Sequence, residues 1–199
     1  MPGAGDDRPA SRLIVVSGPS GAGKGTLIRR LLDQTRDFRV AVSATTRRQR
    51  PGEIDGEHYL FLDDAEFQRR VDAGDFLEHV SFAGGRYGTL ASEVDRVLED
   101  GRSAILELEV EGAFAIRRRR PDALLVFIAP PAFGDLERRL RARATESSGD
   151  IETRLAIARE QLAERNHFDA VVVNDQIERA TEELLATLRG AILPTIEAT

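Results

Sequence analysis

The chain has no cysteine and only one lysine among its 199 residues. Without cysteine it can form neither disulfides nor thiolate metal sites, and three scattered histidines argue against a zinc site built from imidazoles. No run of about 18 apolar residues is present, so we expect no transmembrane helix and no membrane partner. The N-terminal segment carries acid where a secretory signal needs base, so we expect residues 1–11 to form a flexible tail. These absences favour a cytoplasmic protein.

Positive charge is outnumbered by negative charge, and the net charge of the chain is −6. An acidic chain is poorly suited to bind a nucleic-acid polymer, whose phosphates attract an excess of positive charge. The arginines are nevertheless clustered, and local positive clusters on an acidic protein suit a small anion. The alternative is that arginine simply replaces lysine over the surface. We favour that alternative for residues 117–120, at the C-terminus of a predicted helix, where cations offset the helix dipole.

Short β-branched runs alternate with amphipathic helical segments along most of the chain. This pattern predicts an α/β fold with a five-stranded parallel sheet and helices on both faces. An irregular, glycine-rich region between residues 43 and 92 interrupts the alternation and is typical of an inserted lobe. A polar loop is predicted at residues 145–150, between two helical stretches. The strands of the parallel sheet are predicted at residues 12–18, 38–45, 103–110, 123–129 and 169–175.

The segment GPSGAGKGT joins the first predicted strand to the first predicted helix and contains the only lysine, Lys24. Gly18, four further residues, and then Gly23 and Lys24 have the spacing of a phosphate-binding loop. Its glycines let backbone N–H groups converge on phosphate oxygens at the positive end of a helix. Lysine suits this place because its ammonium is compact, whereas a guanidinium fork is too wide to pass beside the β- and γ-phosphates. The alternative is a plain glycine-rich turn. The predicted nucleoside triphosphate contacts are Gly18, Pro19, Ser20, Gly21, Ala22, Gly23, Lys24, Gly25 and Thr26.

One position in this loop departs from the general pattern. Gly25 follows the lysine, where a phosphate loop commonly has Ser or Thr to bind magnesium. Thr26 comes one position later. We expect Mg²⁺ to accompany the triphosphate, with Thr26 as its candidate ligand, directly or through water.

Three further segments show a resemblance to one enzyme family. With the phosphate loop, SATTRRQRPGEIDGEHYLF, FLEHVSFAGGRYGT and ELEVEGA resemble guanylate kinases, which phosphorylate GMP from ATP. The resemblance runs from about Arg12 to Arg189 and implies the P-loop nucleoside monophosphate kinase fold, with an inserted GMP-binding lobe and a helical lid. It implies a kinase domain over residues 12–199, with its core at 12–42, 93–134 and 160–199, the lobe at 43–92 and the lid at 135–159.

The resemblance assigns the phosphate of GMP to two arginines and the two tyrosines of the chain. Arg47 and Arg50 would hold it, since planar guanidinium groups bind a dianion in bidentate fashion. Tyr59 and Tyr87 would add hydroxyl donors. The alternative for the tyrosines is an ordinary half-buried aromatic role.

The resemblance assigns the guanine base to a carboxylate and two hydroxyls. Glu78 would accept from guanine N1–H and N2–H, while Ser43 and Thr89 donate to O6. Adenine presents the reverse pattern and would leave the carboxylate facing an acceptor, so strong discrimination is expected. Glu109 also belongs to the implied GMP set, although the family usually has aspartate there.

Catalysis is assigned by the resemblance to Lys24 and to the lid arginines Arg139, Arg143 and Arg154. Direct in-line phosphoryl transfer needs positioning and charge neutralisation rather than covalent chemistry, and a closing lid also expels water. Arg139 and Arg143 are four residues apart and should share one helix face. The alternative is a solvent helix held by salt bridges. Asn174, at the end of the last predicted strand, would lie near the adenine of ATP.

Two other functions stay open at this point. A P-loop kinase of another small phosphate ester, such as a ribose bisphosphate, would not need the set of Ser43, Glu78 and Thr89. A catalytically inactive guanylate-kinase-like interaction module would have lost the loop that contains Lys24. Sequence alone predicts ATP and GMP as substrates and leaves the oligomeric state undetermined.

Overall fold

A computed structural model describes residues 11–82, 84–143 and 148–192, apart from the side chains of residues 82, 143 and 148–150. Its strands are β1 Leu13–Ser17, β2 Phe38–Val40, β3 Ala44–Thr45, β4 Leu60–Phe61, β5 Phe76–Phe82, β6 Gly85–Leu90, β7 Ser103–Glu107, β8 Leu124–Ala129 and β9 Ala170–Val173. Its α-helices are α1 Lys24–Gln34, α2 Asp64–Ala73, α3 Ala91–Glu99, α4 Val110–Arg119, α5 Phe133–Arg143, α6 Ser148–Ala163 and α7 Ile177–Ile192. A 3-10 turn at Glu164–His167 follows α6.

The larger sheet has five parallel strands in the order β2-β7-β1-β8-β9. Every residue of the central strand β1 is buried, as expected for a parallel strand covered on both faces. Helices α3 and α4 pack on the face that contains Val15 and Phe127, and α1 and α7 pack on the face that contains Ile14 and Val126. The predicted five-stranded parallel sheet flanked by helices is therefore confirmed. The carboxyl ends of these strands share one edge, where the predicted phosphate loop leaves β1.

A second sheet lies within the region predicted as the inserted lobe. Its strand order is β4-β3-β6-β5, with antiparallel pairing of β6 to both β3 and β5. This sheet and α2 share a small core of their own, built from Ala44, Phe67, Phe76 and Leu90. Phe67 of α2 stacks on Phe76 of β5 with their ring centroids 4.5 Å apart.

The prediction of one strand over residues 38–45 is wrong. The structure ends β2 at Val40 and begins β3 at Ala44, in the other sheet. Ala41 and Val42 between them are buried, and the Ala41 N–H still donates to the Ile105 carbonyl. The chain passes from the parallel sheet to the lobe sheet at these two buried apolar residues. The hydrophobic pattern therefore does not show where β2 ends and β3 begins.

Two other predicted bounds also need correction. The strand predicted over residues 103–110 ends at Glu107, because Val110 begins α4 and Glu109 is its N-cap residue. Helix α6 begins at Ser148, inside the polar loop predicted at residues 145–150. Residues 144–147 of the predicted lid and residues 1–10 of the predicted tail lie outside the described residues. Within the described part of the chain, no helix is both long and apolar enough to cross a membrane.

Candidate active site

The phosphate loop is held in shape by glycines at positions that other residues cannot occupy. Gly18 and Gly23 have φ angles of 136° and 94°, in the left-handed region that favours glycine. A Cβ on Gly18 would lie 2.3 Å from the Ile128 carbonyl oxygen, and one on Gly23 would lie 2.3 Å from Nδ2 of Asn174. The loop therefore packs directly on the ends of β8 and β9.

Lys24 begins α1 and is buried, although it carries a charge. Its Nζ donates to the carbonyl oxygen of Gly18 at 2.6 Å and to that of Pro19 at 3.4 Å. The ammonium thus folds back over the loop to which it belongs. Its present partners are neutral carbonyl oxygens, which the charged oxygens of a phosphate can replace.

Asn174 connects the loop to two other parts of the structure. It is buried, and its Nδ2 donates to the Ala22 carbonyl oxygen at 2.7 Å. Its backbone N–H donates to the Ala129 carbonyl, and its own carbonyl accepts from Nη2 of Arg139 at 3.2 Å. The loop, the end of β9 and helix α5 therefore meet at this asparagine. Its contact with adenine stays a prediction.

Gly25 lies beside the carboxylate of Glu107. A Cβ at this position would lie 3.2 Å from Oε2 of Glu107. Glu107 is exposed at the end of β7. Nearby protein atoms nevertheless desolvate its carboxyl and raise its pKa. Lys24 opposes that shift, and Glu109 adds to it. A side chain at position 25 would require the exposed carboxylate of Glu107 to shift by a few tenths of an ångström.

Thr26 is the candidate Mg²⁺ ligand of the sequence analysis, and Glu109 belongs to its GMP set. Thr26 is exposed in the first turn of α1. Glu109 is exposed, and its Oε2 accepts from Nε2 of Gln161 on α6 at 2.7 Å. The described residues include no group of three or more His, Cys, Asp or Glu that could hold a metal ion by themselves.

In the lobe, the structure brings together a carboxylate and a hydroxyl of the predicted base-binding set. Glu78 on β5 lies opposite Thr89 on β6, and the Thr89 Oγ1 donates to Oε1 of Glu78 at 2.8 Å. Both side chains are buried. Burial raises the pKa of Glu78, and the hydrogen bond from Thr89 opposes that shift. Ser43 directly precedes β3, which pairs with β6.

The predicted phosphate-binding side chains of the lobe also lie close together. The guanidinium carbon of Arg47 lies 5.0 Å from the ring centroid of Tyr59, whose ring is 6.2 Å from that of Tyr87. Both terminal nitrogens of Arg47 bind the carboxylate of Glu53, and this pairing holds the pKa of Glu53 at about 2 and raises that of Arg47. Arg50 is exposed.

The arginines of α5 point in two directions, towards the sheet edge and towards solvent. Arg139 points to the sheet edge, whereas Arg138 pairs with Asp135 and Arg141 pairs with acidic residues on α5 and α6. Arg138 and Arg141 thus take part in surface ion pairs, which do not include Arg139. The side chain of Arg143 lies outside the described residues, and Arg154 is exposed on α6.

Comparison with known proteins identifies the family of this chain. A family model described as guanylate kinase matches residues 10–191. The chain belongs to the guanylate kinase family. A guanylate kinase of Rubrobacter xylanophilus is 51% identical over 181 residues, which cover 91% of this chain and 95% of that protein. A guanylate kinase of Thermobifida fusca is 46% identical over 186 residues, which cover 94% of each chain.

A solved structure supports the same conclusion at the level of the fold. The crystal structure of guanylate kinase from Anaplasma phagocytophilum matches with a TM-score of 0.74 at 28% identity, covering 94% of this chain and 89% of that one. The guanylate kinase family, the P-loop nucleoside monophosphate kinase fold and the enzyme class, an ATP:GMP phosphotransferase, are therefore confirmed as predicted. The comparisons support neither the ribose bisphosphate kinase nor the inactive interaction module.

The roles of individual residues in this guanylate kinase site stay predictions. The contacts that were not predicted include those of Glu53 with Arg47, Glu107 with Gly25, and Gln161 with Glu109. Glu53 could have been found, because it belongs to the RPGE segment that carries the resemblance. Gln161 could not, since nothing in its sequence neighbourhood distinguishes it from other polar helix residues.

Proposed function

We propose that this chain transfers the γ-phosphate of ATP directly to the phosphate of GMP, giving ADP and GDP. The observation that carries this proposal is the buried pair of Glu78 and Thr89. In the structure the single hydroxyl proton of Thr89 goes to Oε1 of Glu78, so Thr89 would have to leave this partner to donate to guanine O6 as predicted. The other carboxylate oxygen of Glu78 is available for guanine N1–H and N2–H. Ser43 adds a hydroxyl for O6. A base that presents an acceptor in place of N1–H would leave a buried carboxylate unpaired, which costs affinity.

The acceptor phosphate would lie against Arg47, Arg50, Tyr59 and Tyr87. The closeness of Arg47 to both tyrosine rings supports this site. Two guanidinium groups and two hydroxyls match the charge and the oxygens of a phosphate dianion. Such a phosphate is already anionic, so its attack on the γ-phosphorus requires no general base.

The donor triphosphate would bind in the loop of residues 18–26. Lys24 would exchange its bonds to the loop carbonyls for bonds to the β- and γ-phosphates, where it would counter the charge that develops on transfer. Asn174 would keep the loop in the shape that binds phosphate, and its predicted contact with adenine would add to this role.

Mg²⁺ is the cation that we propose to accompany ATP. Thr26 and Glu107 fit it, because both are oxygen donors exposed beside the loop and Mg²⁺ retains several waters alongside one or two protein ligands. When bound, the ion would neutralise charge on the β- and γ-phosphates. Glu109, held by Gln161, would face the acceptor side of the same cleft.

We further propose that the chain is divided into a core at residues 12–42, 93–134 and 160–199, a GMP-binding lobe at 43–92 and a lid at 135–159. Closure would bring Arg139, Arg143 and Arg154 to the transferred phosphate and exclude water. The separate small core of the lobe supports this division.

The proposed reaction is tested by incubating the purified chain with ATP, Mg²⁺ and GMP and measuring the nucleotides by chromatography. Equal amounts of ADP and GDP are expected, with no inorganic phosphate. Absence of GDP formation, or ADP formed together with inorganic phosphate regardless of GMP, would overturn the proposal.

A further inference from the structure

Glu53 contacts two members of the proposed phosphate site, although none of the steps above uses it. Its Oε1 accepts from Nη2 of Arg47 at 2.6 Å, and its Oε2 accepts from Nη1 of Arg47 at 2.8 Å. The same Oε2 accepts from the backbone N–H of Arg50 at 2.7 Å. The two side chains of the Arg47–Glu53 ion pair are only 15% and 17% exposed, so the pair is more than a loose surface contact.

The hydrogen-bond donors of Arg47 divide into an occupied edge and a free edge. A guanidinium has five N–H donors. Glu53 takes one from each terminal nitrogen, and the Arg48 carbonyl takes the second from Nη1 at 2.8 Å. The donors that remain are the Nε–H and the second hydrogen on Nη2, and no described residue accepts from either. These two donors lie side by side and form a second bidentate fork, which suits a phosphate.

The position of this fork is determined from several sides. The guanidinium carbon of Arg47 lies 5.0 Å from the Tyr59 ring centroid and 5.6 Å from that of Phe61. The turn that supplies Glu53 is closed by its own backbone, because the Glu53 N–H donates to the Arg50 carbonyl at 3.1 Å. The pairing with Arg47 also lowers the pKa of Glu53, so the carboxylate stays ionised well below neutral pH. The arginine is therefore oriented before any phosphate arrives.

We propose that Glu53 is a positioning residue for the acceptor phosphate: it holds one edge of the Arg47 guanidinium and presents the other edge to the phosphate of GMP. Through the backbone N–H of Arg50, it orients the second arginine as well. The inference rests on the proposed function, since it takes GMP as the acceptor. In a competing role, the Glu53 carboxylate would occupy the place of the phosphate and inhibit GMP binding. Removing its charge would then lower the KM for GMP, whereas loss of a positioning residue would raise it.

The test compares Glu53→Gln and Glu53→Asp with Glu57→Gln, a matched control at an exposed glutamate of the same segment. The kcat and the KM for GMP are measured at saturating ATP and Mg²⁺. Binding of GMP and of guanosine is measured separately by calorimetry. For Glu53→Gln we expect the KM for GMP to rise roughly 10- to 100-fold, the range expected when a binding group is misplaced, with a smaller change in kcat. Glu53→Asp should be intermediate, and Glu57→Gln should match the wild type.

The guanosine measurement separates positioning from a merely structural role. A misplaced Arg47 weakens only the phosphate-dependent part of binding, so the affinity for guanosine should be unchanged. An equal loss of GMP and guanosine affinity would overturn the inference, and so would an unchanged or lower KM for GMP in Glu53→Gln. Wild-type turnover of GMP tests the proposed function alone. A wild type that phosphorylates GMP, beside a Glu53→Gln variant that behaves identically, overturns only the inference about Glu53.

Discussion

The side-chain amide of Asn174 donates a hydrogen bond of 2.7 Å to the carbonyl oxygen of Ala22, inside the phosphate loop. Asn174 is 152 residues distant from Ala22 in sequence and follows the last strand of the parallel sheet. Its own carbonyl accepts from Arg139 on helix α5. The loop proposed to bind the donor and the helix proposed to close over it are thus joined through the buried side chain and the backbone of Asn174.

Replacing Asn174 by alanine should therefore weaken donor binding through the loop. The buried Ala22 carbonyl would lose its partner, which costs about 1–3 kcal/mol, so the KM for ATP should rise by up to roughly 5- to 150-fold. Asn174→Asp should be at least as damaging, since a carboxylate cannot donate to a carbonyl. The KM for GMP should change little in either variant. If the variants changed the preference between ATP and GTP without weakening both donors, Asn174 would act on the base rather than on the loop.

Lys24 should not tolerate arginine, even though arginine supplies every other basic residue of the chain. The buried ammonium lies within 2.6 Å of the Gly18 carbonyl, where a planar fork has no room. We expect Lys24→Ala and Lys24→Arg to lower kcat by about 10²- to 10³-fold, the loss typical of removing one donor to developing charge. Steady-state kinetics and thermal melting of both variants measure this. An active Lys24→Arg variant would show that the size of the cation does not matter.

The pH dependence of acceptor binding should contain a contribution from Glu78. Burial raises its pKa above the ordinary value of 4.5. The proposed contact with guanine N1–H and N2–H needs the ionised carboxylate. The affinity for guanosine, which has no phosphate to titrate, should thus rise with pH through that raised pKa. In Glu78→Gln this dependence should be absent and binding weak throughout. Calorimetric titrations over a pH series test this, and a pH-independent wild type would contradict it.

The same shift has a consequence for stability. The folded protein holds a proton on Glu78 at pH values where the unfolded chain has released it. Stability that depends on this group is therefore present below pH 4.5 and is lost as pH rises through the raised pKa. Relative to Glu78→Gln, the unfolding free energy of the wild type should fall over this interval. Denaturant unfolding of both proteins at several pH values measures the difference.

The core of the lobe offers a test of the proposed division of the chain. Phe67 is fully buried and stacks on Phe76, two residues before Glu78 on the same strand. Phe67→Ala should cost about 3–5 kcal/mol of folding free energy, and Phe67→Leu clearly less. In the milder variant, the KM for GMP should rise while the KM for ATP stays near the wild-type value. Equal effects on both substrates would indicate that lobe and core behave as one unit.

Sequence patterns predicted the parallel sheet because β1 and β8 are continuous buried runs that end at a glycine and a proline, respectively. The phosphate loop was predictable as well, since its glycines are needed for local backbone reasons. The crossing between β2 and β3 was not, because Ala41 and Val42 remain apolar and buried through the turn.

Contacts between residues distant in sequence could not be predicted from local patterns, for a different reason. The Gly25–Glu107 and Asn174–Ala22 contacts depend on how separate strands align at the sheet edge. Hydrophobic periodicity indicates which face of a strand or helix a residue occupies. It does not indicate which residue of a neighbouring element that residue contacts. The resemblance named Arg47 and Arg50 as phosphate ligands, yet the carboxylate that orients them became visible only with side-chain positions.

The most direct test of acceptor recognition is the ratio of kcat/KM for GMP to that for AMP, measured with ATP and Mg²⁺ and with ribose phosphates included as further acceptors. Because a base that cannot pair with Glu78 leaves a buried carboxylate unsatisfied, the ratio should be about 10⁴ or more, with no turnover of ribose phosphates. A ratio near unity, or a ribose phosphate used in preference to GMP, would contradict recognition of guanine by the Glu78–Thr89 pair.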